Sequence, residues 1–127
     1  MQLAHIRLYT ANVRECFLFY RDILGLQVLH GNEDSPYAEF HTGDIHLALE
    51  PPIVSEPTKA IRSPHEFSTN DQTALIFRVN DIDARCDQLK SKGVVFIKEP
   101  YDDDLFGHRV AYLRDPAGHL IEMNKGL

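Results

Sequence analysis

The sequence predicts an α+β fold built from two βαβββ modules, and three observations carry that prediction. The first is a repeat. Ala4-His5-Ile6-Arg7-Leu8-Tyr9 leads into Asn12-Val13 and a helical stretch, and sixty-nine positions later Thr73-Ala74-Leu75-Ile76-Phe77-Arg78 leads into Asp81-Ile82 and another. The second is a switch in hydrophobic period, from two to about 3.6, inside each copy. The third is punctuation: glycine or proline clusters fall between the short apolar runs that follow each helix.

Taken in order, residues 4–10 place His5, Arg7 and Tyr9 on one face and Ile6 and Leu8 on the other, the pattern of a half-buried strand. Asn12 is positioned to cap the next helix, with Glu15 three residues on completing a capping-box arrangement. Val13, Cys16, Phe17, Tyr20 and Leu24 recur at helical spacing, and Gly25 is placed to end the helix. Short strands follow near Gln27–His30, Tyr37–His41 and Ile45–Leu49. Residues 50–72 carry Pro51, Pro52, Pro57 and Pro64 among Ser, Thr, Asn and Asp, and read as a connector or a lid. The second copy opens with a strand near 73–79. Asp81 then caps a helix through about Lys92, with Ile82, Cys86 and Leu89 as its apolar stripe and Gly93 as its stop. Strands near 94–98, 109–114 and 119–124 complete it, the last two joined by the turn Asp115-Pro116-Ala117-Gly118. The expectation is one domain over 1–127: module one at about 1–50, a linker at about 51–72 and module two at about 73–127. A four-stranded sheet with one helix leaves a face uncovered, so two curved sheets would cover each other and form a cleft.

Composition narrows the function. Acidic residues outnumber basic ones 19 to 13, for a formal charge of −6, which argues against a nucleic-acid surface. No apolar run is long enough to span a bilayer, and the N-terminus lacks a secretory pattern. Cys16 and Cys86 fall inside expected helices and read as small core residues of a reduced, cytoplasmic protein.

Several stretches together carry a resemblance: His5-Ile6-Arg7-Leu8, then Phe17 through Leu26, then Val79-Asn80-Asp81-Ile82-Asp83-Ala84, then Gly107-His108 through Ile121-Glu122. In this order they are similar to the vicinal oxygen chelate superfamily, the glyoxalase, bleomycin-resistance and extradiol-dioxygenase group of paired βαβββ modules. The resemblance covers essentially the whole chain. It implies a divalent metal held on inner-strand side chains and chelating vicinal oxygens of a substrate. It also implies a homodimer.

Carried over by residue, the resemblance makes His5 the first-strand ligand and Glu122 the last-strand carboxylate, and both become catalytic candidates. The ligand opening the second module falls on Ala74, which cannot bind a metal. The fourth falls on a strand where His46, Ala48 and Glu50 share one face, so His46 or Glu50 must supply a third donor. Zinc, nickel, manganese and iron suit such ligands, and the cofactor is one of these or none. Without metal, a carboxylate beside a histidine can still serve as a general base. Arg7, Arg78 and Arg109 are candidates for binding an anionic ligand, and Phe40, Phe67, Tyr101 and Phe106 for lining a pocket. His30, His41, His65, His108 and His119 show no ligand spacing, and Asp102-Asp103-Asp104 reads as a solvated loop.

Two functions stay open. One is a glyoxalase-like lyase, isomerase or related enzyme acting on a small oxygenated substrate. The other is a metal-free protein of the bleomycin-resistance type that sequesters a small molecule. Ala74 speaks for the second, and against glutathione-dependent glyoxalase or fosfomycin chemistry. His5 together with Glu122 speaks for the first.

Overall fold

Each half of the chain closes its own four-stranded mixed sheet over one helical segment. The computed structural model describes residues 1–51, 71, 73–105 and 107–126. Most of the loop expected over 50–72, with Phe67, and Phe106 lie outside the described residues. The chain divides into two compact units, Met1–Ser68 and Thr69–Leu127. Among the described residues no helix is long and apolar enough to cross a membrane.

The first unit runs β1 (His5–Tyr9), α1 (Val13–Leu18) continuing as a π-helical turn (Phe19–Ile23), β2 (Gln27–His30), β3 (Ala38–His41) and β4 (His46–Glu50). Its strand order is β1-β4-β3-β2, with β1 parallel to β4 and the other pairs antiparallel. The helix start differs from expectation. Asn12 occupies the cap position but makes no side-chain cap bond. Instead its own N–H donates to Thr10 Oγ1 at 2.9 Å, so the buried threonine shapes the entry. At the other end Leu24 N–H reaches Phe19 O and Leu26 N–H reaches Tyr20 O, both at 2.9 Å, around Gly25 at φ +75°. This widened turn seats Phe17 and Tyr20 against Phe40, with ring centroids 5.4 and 5.9 Å apart. Phe40 therefore belongs to the core under the helix and does not line a pocket. Leu8, Ala38, Leu47 and Leu49 complete that core. Each large side chain buried there contributes on the order of 2–3 kcal/mol.

The second unit runs β5 (Leu75–Arg78), α2 (Ile82–Ser91), β6 (Lys98–Asp103), β7 (His108–Arg114) and β8 (Leu120–Gly126), in the order β5-β8-β7-β6. Here the cap forms as expected: Asp81 Oδ1 accepts from Ala84 N–H at 3.0 Å. Ile82, Cys86 and Leu89 are buried, and α2 lies against β6, β7 and β8. Burial chiefly pushes the Cys86 thiol up to about 11, so it stays a protonated core group. Gly93, at φ +90°, ends the helix, and Val94 N–H returns to Leu89 O.

The sixth strand lies later than its expected span near 94–98, and it takes in Asp102 and Asp103, which were read as loop. Its place at the sheet edge explains this. An edge strand tolerates Pro100, whose missing N–H costs no ladder bond on the open side, and the pairing slips between Lys98 and Tyr101. The β7–β8 turn has a feature that composition hid. The buried Asp115 carboxylate accepts from the N–H groups of Ala117 and His119, each at 2.9 Å, and from His119 Nδ1 at 2.6 Å.

Glycine geometry gives a test of the first unit. At Gly31 (φ +85°) a Cβ would stand 2.4 Å from Tyr37 O, whereas at Gly25 nothing lies within 4 Å. Gly25→Ala should cost about 1 kcal/mol, the left-handed penalty alone. Gly31→Ala should cost about 2–3 kcal/mol, because backbone must also move. Equal losses in denaturant melts would mean that β2 and β3 do not approach as described.

Candidate functional site

Parallel pairing decides which side chains meet. In the first sheet His5 lies opposite His46, Arg7 opposite Ala48 and Tyr9 opposite Glu50. On the next strand Glu39 lies opposite Ala48 and His41 opposite His46. Residues opposite one another share a face. His5, Arg7, Tyr9, Glu39, His41, His46, Ala48 and Glu50 thus occupy the face away from the helix, while Leu8, Leu47, Leu49, Ala38 and Phe40 occupy the covered one.

On that polar face three side chains converge. His5 Nε2 lies 2.8 Å and His46 Nδ1 2.6 Å from the same oxygen, Oε1 of Glu39. The two imidazoles meet edge to face at 5.2 Å. The Tyr37 hydroxyl donates to the other oxygen, Oε2, at 3.1 Å. One donor atom from each of His5, Glu39 and His46 lies within 4.8 Å of the others. Two imidazoles and a carboxylate at that separation fit a borderline divalent ion such as zinc, nickel, iron or manganese. Glu39 was not singled out in the sequence, although a signal was there: Ala38-Glu39-Phe40-His41 alternates, so Glu39 and His41 had to face away from the apolar side.

The other sequence candidates divide between the units. Glu50, on the His5 face, is engaged by Arg7 at 3.5 Å, and the Arg7 guanidinium also lies 5.9 Å from the Tyr37 ring. In the second sheet Glu122 lies opposite both Ile76 and Tyr112. It accepts from Asn124 Nδ2 at 3.1 Å, and Tyr112 is its cross-strand neighbour on the same face. Burial first, and Glu122 second, push the Tyr112 hydroxyl up to about 12, so it remains a proton donor at neutral pH. Asn124 Oδ1 is buried with no partner among the described residues. Arg78 lies opposite Asn124 and so shares the Glu122 face.

Arg109 does not. It lies opposite Lys125, in phase with Ala111 and Leu113, and grips Asp83 of α2 through two bonds of 2.7 and 2.8 Å and Asp102 through one of 3.0 Å. Arg109, a candidate for binding an anionic ligand, is thus a tie between helix and sheet on the covered side, opposite the Glu122 face. Parity along β7 is the reason: Arg109 is an odd number of residues from Tyr112.

The ladder registers match position 48 of the first unit to position 122 of the second. Arg7 answers to Ile76, so their strand partners Ala48 and Glu122 answer to each other. Glu39, opposite Ala48, then answers to Tyr112, opposite Glu122. Two of the four positions that the repeat relates, 48 and 74, are thus alanine.

The His46 imidazole first, then His5 and Tyr37, hold the Glu39 carboxyl below the usual carboxylate range, against a desolvation that works the other way. A depressed folded value means that the unfolded chain takes up the proton first. The contribution to stability is then complete above the ordinary glutamate value of about 4.3 and is lost as pH falls through the lower folded value. In metal-free protein the stability gap between wild type and Glu39→Gln should shrink with acidification over that window. A gap that stays constant would show that the Glu39 charge plays no part.

Known proteins share this architecture. The family model described as the Glyoxalase/Bleomycin resistance protein/Dioxygenase superfamily matches residues 2–123. The chain is 33% identical over 132 residues to YraH of Bacillus subtilis, with all of both chains covered. It is also 33% identical over 124 residues to the metallothiol transferase FosB of Staphylococcus haemolyticus, covering 96% of this chain and 81% of that one. Among solved structures, a glyoxalase/bleomycin resistance protein/dioxygenase from Nocardioides superposes with a TM-score of 0.82 at 20% identity, over 100% of this chain and 84% of that one. With a family match spanning nearly the whole sequence and two βαβββ modules in place, the chain belongs to the glyoxalase/bleomycin resistance protein/dioxygenase superfamily.

Proposed function

We propose that the chain is a metal-dependent enzyme of this superfamily, a lyase, isomerase or related catalyst acting on a small substrate with neighbouring oxygen atoms. The observation that carries this reading is the convergence of His5, Glu39 and His46 on one sheet face. A divalent ion held by imidazole and carboxylate donors supplies a Lewis acid that polarises a substrate carbonyl.

The chain's own residues do the rest. Strand pairing holds His5 and His46 side by side, so neither imidazole needs a loop to position it. Glu122 is read as the catalytic carboxylate, the type of group that can take a proton from carbon next to a carbonyl. Tyr112, opposite Glu122 on the next strand, stays protonated beside that carboxylate, and Asn124 Nδ2 donates to it. Arg7 is drawn to Glu50, which keeps its guanidinium on the same face as the histidines, where it can meet an anionic group of the substrate. A homodimer and a cytoplasmic location belong to the same reading. One relative's name, metallothiol transferase, joins a metal to its chemistry and supports the metal part of the reading.

A second reading rests on Ala48 and Ala74. With alanine at two repeat-related positions, the fold suits a metal-free protein that sequesters a small molecule. Elemental mass spectrometry of untagged protein, as purified and after exposure to zinc, nickel, manganese or ferrous iron, separates the two. The enzyme reading expects near-stoichiometric metal that falls at least tenfold in His5→Ala. No metal under any condition would sink it in favour of sequestration.

A further inference from the structure

We propose that the first module alone forms a complete divalent-cation site, with His5, Glu39 and His46 as its three protein ligands and with Glu122 outside the ligand set. This rests on the metal-dependent reading and specifies its donors.

The backbone makes the case first. The three ligands stand on three adjacent strands, β1, β4 and β3, joined by continuous ladders. Their Cα positions are therefore fixed by hydrogen-bonded pairing, the kind of support that holds a constellation to a fraction of an ångström. Donors around a divalent ion at about 2.1 Å lie roughly 3–3.5 Å from one another. The present separations, 2.8 and 2.6 Å from each imidazole nitrogen to Glu39 Oε1, need only a small opening to reach that spacing. The carboxylate already stands between the two nitrogens, so an ion would replace shared protons and leave the framework unchanged.

Surrounding groups agree. The Tyr37 hydroxyl holds the second oxygen of Glu39, the outer-shell bond that metal-ligating carboxylates commonly have. The nearby cation, Arg7, is turned to Glu50 at 3.5 Å, so the guanidinium does not neutralise Glu39. Exposure is graded: the His5 and His46 side chains are 43% and 38% exposed and Glu39 17%, which leaves room for an ion to enter and for substrate oxygens to complete its coordination.

The repeat explains how such a site arises without help from the second module. In module two the carboxylate sits on the strand next to β5, at Glu122, with Tyr112 one strand further on. In module one the carboxylate has moved one strand over, to Glu39, and alanine fills the vacated place at Ala48. The second imidazole comes from His46, directly opposite His5, and makes good the donor that Ala74 cannot supply. Two histidines and one carboxylate leave up to three coordination positions open, enough for a substrate that chelates through two neighbouring oxygens.

The test is calorimetric titration of metal-stripped full-length protein with zinc, nickel and manganese, in wild type, Glu39→Gln, His46→Gln and Glu122→Gln. Cobalt absorption spectra give a second readout of donor type. The expected result is one ion per chain in wild type. Affinity should fall at least about 100-fold in Glu39→Gln and in His46→Gln, each checked for folding by circular dichroism, and change less than about threefold in Glu122→Gln. Loss of binding in Glu122→Gln with binding retained in Glu39→Gln would overturn the single-module site while leaving the metal-dependent reading intact. Absence of binding in wild type would overturn both. If Glu39→Gln fails to fold, His46→Gln and Glu122→Gln still decide: retained affinity in the first or lost affinity in the second refutes the proposal.

Discussion

Within each module, the first strand pairs in parallel with the last, and everything functional follows from that one ladder. A parallel pair cannot be closed by a tight turn, so the chain must cross over through a helix and two further strands before it returns. The helix can bury its apolar stripe against only one side of the resulting sheet. Polar chemistry is thereby sorted to the other side with a period of two, which is why His5 meets His46 and Ile76 meets Glu122. A slip of one residue in either ladder would send those side chains under the helix.

The two modules hold this frame in common and differ in what they hang on it. Module one gathers two imidazoles around a carboxylate contributed from the third strand in spatial order. Module two keeps its carboxylate on the second and backs it with a phenol held in its protonated form. The helix entries differ as well: Thr10 accepts from the backbone ahead of α1, whereas Asp81 caps α2 directly. A repeat that has diverged this far in polar groups while keeping its registers shows how little of the ladder depends on the side chains facing away from the helix.

Much of this was legible in the sequence, for physical reasons that vary by element. Strands such as Gln27–His30 and the stripe Ile82, Cys86, Leu89 were readable because period and caps are local signals. His5 and His46 could be placed on polar faces by alternation alone. Glu39 was missed because its importance depends on which strand lies beside which, a long-range fact, even though its own parity was readable. Asp102 and Asp103 were misread since an acidic run beside proline resembles a loop, and only the edge position makes it a tolerable strand. The role of Asp115 was hidden because a turn aspartate looks the same whether it faces water or, as here, is buried and accepts from Ala117 N–H, His119 N–H and His119 Nδ1.

The slipped pairings of β2 and β6 bear on how these sheets can grow. Each sheet has one edge formed by an irregular strand, with a register shift between Val28 and His30 in the first and between Lys98 and Tyr101 in the second. A foreign strand arriving at β6 meets a kinked ladder, a proline without a donor, and flanking charge on Lys98, Glu99 and Asp102, features that discourage polymerisation edge to edge. The opposite edges, β1 and β5, carry no such interruption in their pairing. Regular pairing is therefore concentrated at the strand that opens each module, and in the first module that is the strand bearing His5.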